Sequence, residues 1–179
     1  NARATFFVLG NRVDNFPNII QREYSQGHEI GSHSFSHPQI TTLTSDEIEY
    51  QFAETEHRIQ QYVPYTTKLV RPPYGQITQS LKEVLQKTFV LWSIDTQDWK
   101  TRDKDAIVSE VLNNVKDGDI ILMHDMYSTT ADACEELIPA LIERGYQLVT
   151  VSELLNAKEI TPVAGSVYSR VLSTGNAAS

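Results

Sequence analysis

The chain has little cysteine. Cys134 is the single one in 179 residues, so no disulfide can form within the chain. It lies in a stretch with helical spacing, beside Ala131, Ala133 and Leu137. Free cysteine is among the residue types most often buried, where it behaves as a small apolar side chain. We therefore predict a core thiol at this position and not a nucleophile.

The chain is also poor in positive charge and in long apolar runs. It has 15 lysines and arginines against 23 aspartates and glutamates, which gives a formal net charge of −8. Binding to nucleic acid or docking on an anionic membrane calls for a basic surface, so the composition argues against both. No apolar run approaches the roughly 20 residues of a membrane-spanning helix, and we expect no membrane span in this chain.

The hydrophobic pattern alternates between short apolar runs and stretches with helical spacing. Repeated strand–helix units whose strands are apolar on both faces indicate a parallel sheet covered by helices. This pattern fits an open sheet or a closed barrel. No G-x-G-x-x-G loop is present, which weakens a dinucleotide-binding interpretation. The predicted strands are 4–9, 28–31, 68–71, 88–94, 119–124 and 146–151.

Helical segments are predicted between these strands. Thr44 and Glu47 have the spacing of a capping box at the start of one helix. A length of 179 residues makes one domain the default. We assign 1–156 to the folded domain and 157–179, which is rich in Ala, Ser, Gly and Thr, to a C-terminal tail. Apolar residues such as Val171 would order part of that tail.

Polar residues collect at the carboxyl ends of four predicted strands. In parallel β/α proteins, this is the face where loops converge on an active site. That concentration is the strongest argument for a site that the residues alone provide. Two other histidines, His28 and His57, lie outside it and are interpreted as structural or solvated. The clusters are His33 with His37, Arg71 to Gly75, Asp95 to Trp99, and His124 with Asp125.

The stretch SHSFSHP, residues 32–38, places His33 and His37 four residues apart. A helical turn would bring both rings to one point, and imidazole is a common ligand of zinc and similar metals. A catalytic zinc takes about three protein ligands and keeps one position open. A third ligand, a histidine or a carboxylate, must therefore come from elsewhere. The plainer alternative is a surface turn, but the three other polar clusters favour a metal site.

His124 ends an apolar strand, two residues after Leu122. We predict that it acts as a general acid beside the metal; the alternative is a core histidine with a satisfied ring. A protonated imidazole is stabilised by a carboxylate partner, and Asp98 is the candidate for that partner. Asp95 is expected to turn back into the loop backbone, as aspartates in turns often do.

Three further positions have two interpretations each. Trp99 is a large ring that could line a cleft for a saccharide or acyl group, or could belong to the core. Arg71 could hold a catalytic carboxylate ionised, or could form an ordinary structural ion pair. Pro72 and Pro73 stiffen the turn that follows, so that the Tyr74 amide could point at an oxyanion.

The motifs HSFSHP, RPPYG, DTQDW and LMHD, in this order, resemble those of the NodB-like polysaccharide deacetylases, the carbohydrate esterase family four. The likeness covers residues 4 to about 155, and four ordered motifs are far more specific than any one alone. It implies an α/β fold, a distorted (β/α) barrel of about seven parallel strands. It also implies metal-dependent removal of N-acetyl or O-acetyl groups from polysaccharides. The metal is expected to be Zn²⁺, with Co²⁺ or another divalent ion as the alternative.

The resemblance assigns the metal and the proton transfer to particular residues. His33 and His37 match the two metal-binding histidines of the family. His124 matches the catalytic acid, and Asp98 matches the carboxylate that tunes it.

The resemblance also assigns the surroundings of the substrate. Arg71 matches the arginine that tethers the catalytic base. Tyr74, with Pro73 before it, matches the residue whose backbone amide helps to form the oxyanion hole. Trp99 and Leu122 match the wall around the acetyl methyl group.

One family feature is not in the sequence. Members carry a TFDDG motif on a first strand, upstream of the segment that ATFF at 4–7 resembles, and residues 1–179 contain no such motif. Its aspartates are the general base and the third metal ligand. We therefore expect that the family's first strand is missing from this chain. We also expect a companion N-terminal peptide of the same protein to supply the two aspartates.

The expected substrate is peptidoglycan, acetylated on N-acetylglucosamine or N-acetylmuramic acid, because LWSIDTQDW and LMHD look most like bacterial cell-wall deacetylases. A chitooligosaccharide or acetylxylan deacetylase is one alternative, and a non-catalytic carbohydrate-binding fragment is another. A metal-dependent phosphoesterase would usually need more acidic ligands and basic phosphate clamps, for which Arg71 alone is thin evidence. The substrate implies an extracellular or cell-surface location, with the signal region outside this chain.

Overall fold

A computed structural model describes residues 2–172. These residues form two compact units. The five-stranded unit consists of Arg3–Leu91 and Thr161–Tyr168. The two-stranded unit consists of Ala2, Trp92–Ile160 and 169–172.

Strands and helices alternate along most of the described chain. The strands are β1 (Thr5–Val8), β2 (Glu29–Ser32), β3 (Leu69–Val70), β4 (Thr88–Val90), β5 (Ile94–Asp95), β6 (Ile121–Leu122) and β7 (Val167–Tyr168). The α-helices are α1 (Gly10–Val13), α2 (Pro17–Ser25), α3 (Ser45–Gln60), α4 (Gln79–Leu85), α5 (Asp98–Thr101), α6 (Lys104–Asn114), α7 (Ser128–Glu143) and α8 (Val151–Ala157). Two short 3-10 helices cover Ile40–Thr42 and Pro73–Gly75.

The five-stranded unit is a parallel sheet with the strand order β1-β2-β3-β4-β7. Val70 of β3 lies opposite Phe89 of β4, and both side chains are fully buried. They pack with Ile48 and Phe52 of α3 and with Leu81 of α4. The predicted capping box at the start of α3 is present, since Thr44 and Glu47 exchange side-chain-to-backbone hydrogen bonds. The capping box thus stabilises the start of α3, and the packing of Ile48 and Phe52 holds the helix against the sheet.

The two-stranded unit pairs β5 with β6 in parallel, with Asp95 opposite Leu122. Its core joins Ile94 of β5 to the apolar faces of α6 and α7, through Val111 and Leu137 among others. This packing places the carboxyl ends of β5 and β6 side by side. The loops that carry Asp95 to Trp99 and His124 begin there.

The predicted single strand 88–94 is wrong. The structure divides it into β4 and β5, which belong to different sheets. Ser93 stabilises the break, because its amide and its hydroxyl both bond the 119–120 segment: the amide donates to the Ile120 oxygen at 2.9 Å and the hydroxyl to Asp119 Oδ1 at 2.7 Å. Because residues 88–94 are apolar on both faces, the sequence pattern does not show the point at which one strand ends and the next one pairs with a different neighbour.

The predicted strand 146–151 is also wrong, since no strand is assigned there. Tyr146 and Leu148 pack against the core of the two-stranded unit, in a segment that pairs with no strand. Thr150 is the N-cap of α8 and forms a capping box with Glu153, which recruits Val151 into the helix. Apolar alternation therefore arises here from core packing.

The segment assigned to a C-terminal tail contributes a strand, because β7 pairs in parallel with β4. Further on, Val171 is buried, and its amide donates to the Gly118 oxygen at 2.8 Å. Residues 173–179 lie outside the described residues. The division into a catalytic domain 1–156 and a tail stays a prediction. Within residues 2–172, no helix has the length and apolar character needed to cross a membrane.

Candidate functional site

The histidine turn follows β2 directly. The His33 amide donates to the Val8 oxygen at 2.9 Å and so continues the pairing of β1 with β2. The rings of His33 and His37 meet edge to face, with centroids 4.9 Å apart. The turn is not helical, so the rings do not meet in the way that the four-residue spacing would allow in a helix. Ser34 and His37 take left-handed backbone angles, with φ of +72° and +60°, and these bring the rings together.

The His33 ring is oriented by the next strand of the sheet. Its Nδ1 lies 2.5 Å from the Arg71 backbone oxygen, which can only accept a hydrogen bond. The proton therefore sits on Nδ1, and Nε2 carries the lone pair through which this ring would bind a metal. A carbonyl behind a ligating histidine is the usual outer partner in metal sites.

The histidine pair fits part of a metal-binding set. Two converging imidazoles suit zinc and related divalent ions. Within residues 2–172, no group of three or more His, Cys, Asp or Glu side chains is arranged to hold a metal ion. The pair is therefore two members of a ligand set of about three.

The position of the turn depends on Gln51 of α3, which the sequence analysis missed. Gln51 Oε1 accepts the amides of Phe35 and Ser36, each at 2.9 Å, and Nε2 donates to Ser36 Oγ at 3.0 Å. The buried Ser34 hydroxyl accepts the His37 amide at 3.1 Å. His33 is thus fixed mainly by the sheet, whereas His37 is fixed by a loop that Gln51 clamps to α3.

Arg71 follows β3 directly and is buried. Its guanidinium donates to the oxygens of Val90 and Leu91, at 3.3 and 3.0 Å, and its Cζ lies 4.4 Å from the centre of the Phe7 ring. Burial lowers the pKa of Arg71 to about 10, which leaves the side chain charged at neutral pH. A buried fixed cation at a strand end is suited to holding a carboxylate ionised.

Tyr74 has an unusual backbone. It follows the buried Pro73 in a 3-10 turn and takes a left-handed conformation with φ +57°. In the part of the chain that the structure describes, the amides of Gly75 and Gln76 bond back to the two prolines, but the Tyr74 amide donates to no protein group. The ring is 61% exposed and meets the His37 ring edge at a centroid distance of 4.7 Å. An unpaired donor beside the histidines is what an oxyanion requires.

In the two-stranded unit, Asp98 and His124 form a pair. Asp98 Oδ1 lies 2.7 Å from His124 Nδ1, and Oδ2 accepts the His124 amide at 2.6 Å. The Asp98 side chain is fully buried, while that of His124 is 34% exposed. The carboxylate fixes the ring so that Nε2 is the atom available for proton transfer.

Asp98 keeps its charge although it is buried. Burial alone would raise its pKa, but hydrogen bonds from His124 and from the Thr130 hydroxyl outweigh it, so the pKa lies below its usual value. Thr130, of α7, donates to Oδ2 at 2.8 Å and was not predicted. Asp98 also accepts the Trp99 amide at 2.8 Å.

The other predicted residues of this unit have clear positions. Asp95 accepts the Gln97 amide at 2.9 Å, the expected turn. Leu122 is buried in β6, and its backbone oxygen accepts the Thr96 hydroxyl at 2.9 Å. Trp99 is 49% exposed, so the core interpretation of this ring is wrong. Cys134 is partly buried, and burial, followed by the charge of Asp98, raises its pKa, which does not suit a nucleophile.

The candidate residues fall into two groups, one in each unit, and their catalytic roles stay predictions. The five-stranded unit carries His33, His37, Arg71, Pro73 and Tyr74. The two-stranded unit carries Asp98, Trp99, Leu122 and His124.

The sequence matches a known protein family and several curated proteins. The family model for polysaccharide deacetylase matches residues 1–90. The peptidoglycan-N-acetylmuramic acid deacetylase PdaC of Bacillus subtilis is 46% identical over 156 residues, which is 87% of this chain and 33% of PdaC. The peptidoglycan-N-acetylglucosamine deacetylase PgdA of Listeria monocytogenes is 38% identical, over 88% of this chain and 34% of PgdA. The chain thus spans about a third of the length of these relatives.

Solved structures are also similar to this chain. The structure of PdaC superposes with a TM-score of 0.86 at 45% identity, covering 88% of this chain and 78% of that chain. A family 4 acetyl xylan esterase from Clostridium thermocellum, in complex with a cobalt ion, gives a TM-score of 0.90 at 34% identity, covering 95% and 86%.

This chain belongs to the polysaccharide deacetylase family. The predicted fold class, an α/β fold with parallel strands of the family four deacetylase type, is confirmed. The family is one of metal-dependent hydrolases, although it also contains pseudoenzymes.

Proposed function

We propose that the protein removes N-acetyl groups from peptidoglycan, on N-acetylglucosamine or N-acetylmuramic acid, with a divalent metal held by His33 and His37. The observation that carries the proposal is the histidine pair, with ring centroids 4.9 Å apart and the His33 proton committed to the Arg71 oxygen. Peptidoglycan is favoured because PdaC and PgdA both act on it by name. Such a substrate places the protein outside the cell or at its surface.

We propose Zn²⁺ as the metal, with Co²⁺ as the alternative, since two imidazoles suit both. A divalent ion at this position supplies Lewis acidity toward the acetyl carbonyl and makes water a better nucleophile at neutral pH. The general base and the third ligand are not assigned to residues of this chain. By resemblance, they are the aspartates of the TFDDG motif.

The chain's own residues perform the remaining tasks. The Tyr74 amide, which Pro73 presents in a left-handed turn, stabilises negative charge on the carbonyl oxygen. Arg71, buried and charged, keeps the base carboxylate ionised. His124 Nε2 gives a proton to the leaving amine, and Asp98 holds the ring in the required tautomer. Trp99 and Leu122 border the acetyl methyl group.

The position of Gln51 leads to a prediction about metal affinity. Replacing Gln51 with Met removes the acceptor of two amides and frees the loop that carries His37. Because Gln51 acts through the loop and bonds neither histidine, we expect Zn²⁺ binding to weaken by about tenfold, the lower end of the range for partners that bond a ligand directly. The affinity is measured in the full-length protein by titration against a competing chelator.

Two matched variants control for this change. Gln51→Glu keeps an acceptor oxygen and should bind Zn²⁺ nearly as the wild type does. Gln60→Met alters an exposed glutamine of the same helix, which bonds Glu56 and Thr66, and should have no effect. Equal affinity in Gln51→Met and Gln60→Met would show that the clamp does not position His37.

The proposed reaction is tested by measuring acetate release. The full-length protein is incubated with purified N-acetylated peptidoglycan, with chitooligosaccharide and acetylxylan, and in parallel with a phosphodiester. Release of acetate with no phosphodiester cleavage is expected, and the rates rank the sugar substrates. Glycan binding with no acetate release would favour the alternative, a non-catalytic carbohydrate-binding protein, which the pseudoenzymes of the family make a specific possibility.

A further inference from the structure

Arg102 occupies a backbone position that does not suit it. It is the C-cap that follows α5 and has a left-handed φ of +48°, a conformation that favours glycine because a Cβ is strained there. Its amide donates to the Asp98 backbone oxygen at 3.0 Å, so its place is fixed relative to the carboxylate that holds His124. The backbone conformation does not favour an arginine here, so a reason for this residue must lie in its side chain.

The Arg102 side chain lies over an aromatic ring near His124. Its Cζ is 4.8 Å from the centroid of the Tyr127 ring. That ring in turn meets the His124 ring edge to face, at a centroid distance of 6.4 Å. A guanidinium stacked on an aromatic face keeps its edge N–H groups directed sideways, where they can bind a planar anion. The Tyr127 ring therefore lies between the guanidinium N–H groups of Arg102 and His124, the proposed catalytic acid.

The charge of Arg102 is not neutralised by the protein. In residues 2–172, no carboxylate oxygen lies within 4.0 Å of it. Two other arginines do have a carboxylate partner: Arg58 lies 2.6 Å from Asp14, and Arg170 is bonded to Asp119.

We propose that Arg102 binds a carboxylate carried by the substrate sugar, so that the protein prefers acidic units of the muramic acid type to neutral glucosamine units. This inference rests on the proposed deacetylase function. Muramic acid differs from glucosamine by a lactyl ether on O3. Its carboxyl group is free in peptide-free glycan and amide-linked in peptide-bearing glycan, where the peptide contributes other carboxylates. A guanidinium edge matches either carboxylate in bidentate fashion.

The test compares acidic and neutral substrates of equal length. The probes are a peptide-free tetrasaccharide of alternating N-acetylglucosamine and N-acetylmuramic acid, the same tetrasaccharide with its peptides, and N-acetylchitotetraose. For each, kcat/KM for acetate release and Kd by titration are measured in the full-length protein. Arg102→Gln should lower the acidic-to-neutral ratio by about tenfold or more, the loss expected for one charge-assisted hydrogen bond. Arg102→Lys, which keeps the charge but not the fork, should restore part of the ratio.

Lys100→Gln is the matched control, because it removes one exposed positive charge from the same helix. It should leave the acidic-to-neutral ratio unchanged. A loss confined to the peptide-bearing probe assigns the peptide carboxylates, and a loss with the peptide-free probe assigns the lactyl group. An unchanged ratio in Arg102→Gln overturns the inference while leaving deacetylation intact. If no acetate is released, the Kd ratio decides the role of Arg102 by the same criterion, and the proposed reaction fails separately.

Discussion

Replacing His124 with Ala is expected to lower kcat for acetate release by about 100- to 10,000-fold, the usual contribution of a positioned general acid. The variant removes the ring that Asp98 holds in place and that we propose as the proton donor to the leaving amine. The affinity for Zn²⁺ should stay near that of the wild type, because the proposed metal ligands are His33 and His37 and His124 is assigned a different role. Steady-state kinetics and metal titration measure the two effects.

The control for this variant is His57→Ala. His57 is an exposed histidine of α3 whose ring contacts Gln61, so its loss changes histidine content without touching the candidate residues. It should keep full activity. Turnover near the wild-type rate in His124→Ala would remove His124 from the mechanism.

Replacing Asp98 with Asn is expected to reduce both activity and stability. The carboxylate accepts four hydrogen bonds, from His124 twice, from Trp99 and from Thr130, and an amide can accept them at one atom only. The free energy of unfolding should fall by about 1.5–3 kcal/mol, as for hydrogen bonds to a charged group. The ring of His124 would lose its fixed tautomer, and kcat should fall by about 100-fold or more. Urea unfolding and acetate release test the two effects.

The stability effect should depend on pH in a defined direction. The pKa of Asp98 is lower in the folded protein than in the unfolded chain, where an aspartate titrates near 4. Its stabilising contribution is therefore complete above about pH 4 and is lost as the pH falls through the folded-state pKa. The difference between the wild type and Asp98→Asn should be largest at neutral pH and shrink below about pH 4. A difference that grows in acid would contradict this account.

Thr130→Val offers a graded comparison with Asp98→Asn. It keeps the shape of the buried side chain and removes one donor to Asp98 Oδ2. Its effects on stability and kcat should be smaller than those of Asp98→Asn and in the same direction.

The sequence allowed prediction of the parts of the site that stand at strand ends. His33, Arg71, Asp98 and His124 follow apolar runs, and the topology of a parallel sheet brings such positions to one edge of each sheet. The contact between Asp98 and His124 follows from β5 pairing with β6. The predictable part of the site is thus the part that follows from the hydrophobic periodicity of the strands and from their parallel arrangement.

The supporting residues could not be predicted in this way. Gln51 and Thr130 lie in helices, and only tertiary packing brings them to the histidine turn and to Asp98. No local pattern distinguishes them from other polar residues on a helix surface. The left-handed backbone angles at Ser34 and His37 could not be predicted from the spacing of the two histidines either. The four-residue interval would also fit a helical turn, which the structure does not have here.

The two incorrect strands have different causes. The break within 88–94 depends on which neighbour each half finds, and that information lies elsewhere in the chain. The helix start at Thr150 did have a local signal, since Thr150 and Glu153 have the same spacing as Thr44 and Glu47. The incorrect prediction was therefore the strand before this helix, where apolar alternation continues up to the N-cap.

The measurement that tests the central claim most directly is acetate release from peptidoglycan before and after metal removal, in the full-length protein and in His37→Ala. Chelation is expected to abolish release by the wild type, and added Zn²⁺ is expected to restore it. His37→Ala should stay inactive under both conditions, because it lacks one of the paired imidazoles. Acetate release that survives chelation, or a His37→Ala variant as active as the wild type, would contradict a metal-dependent deacetylase built on His33 and His37.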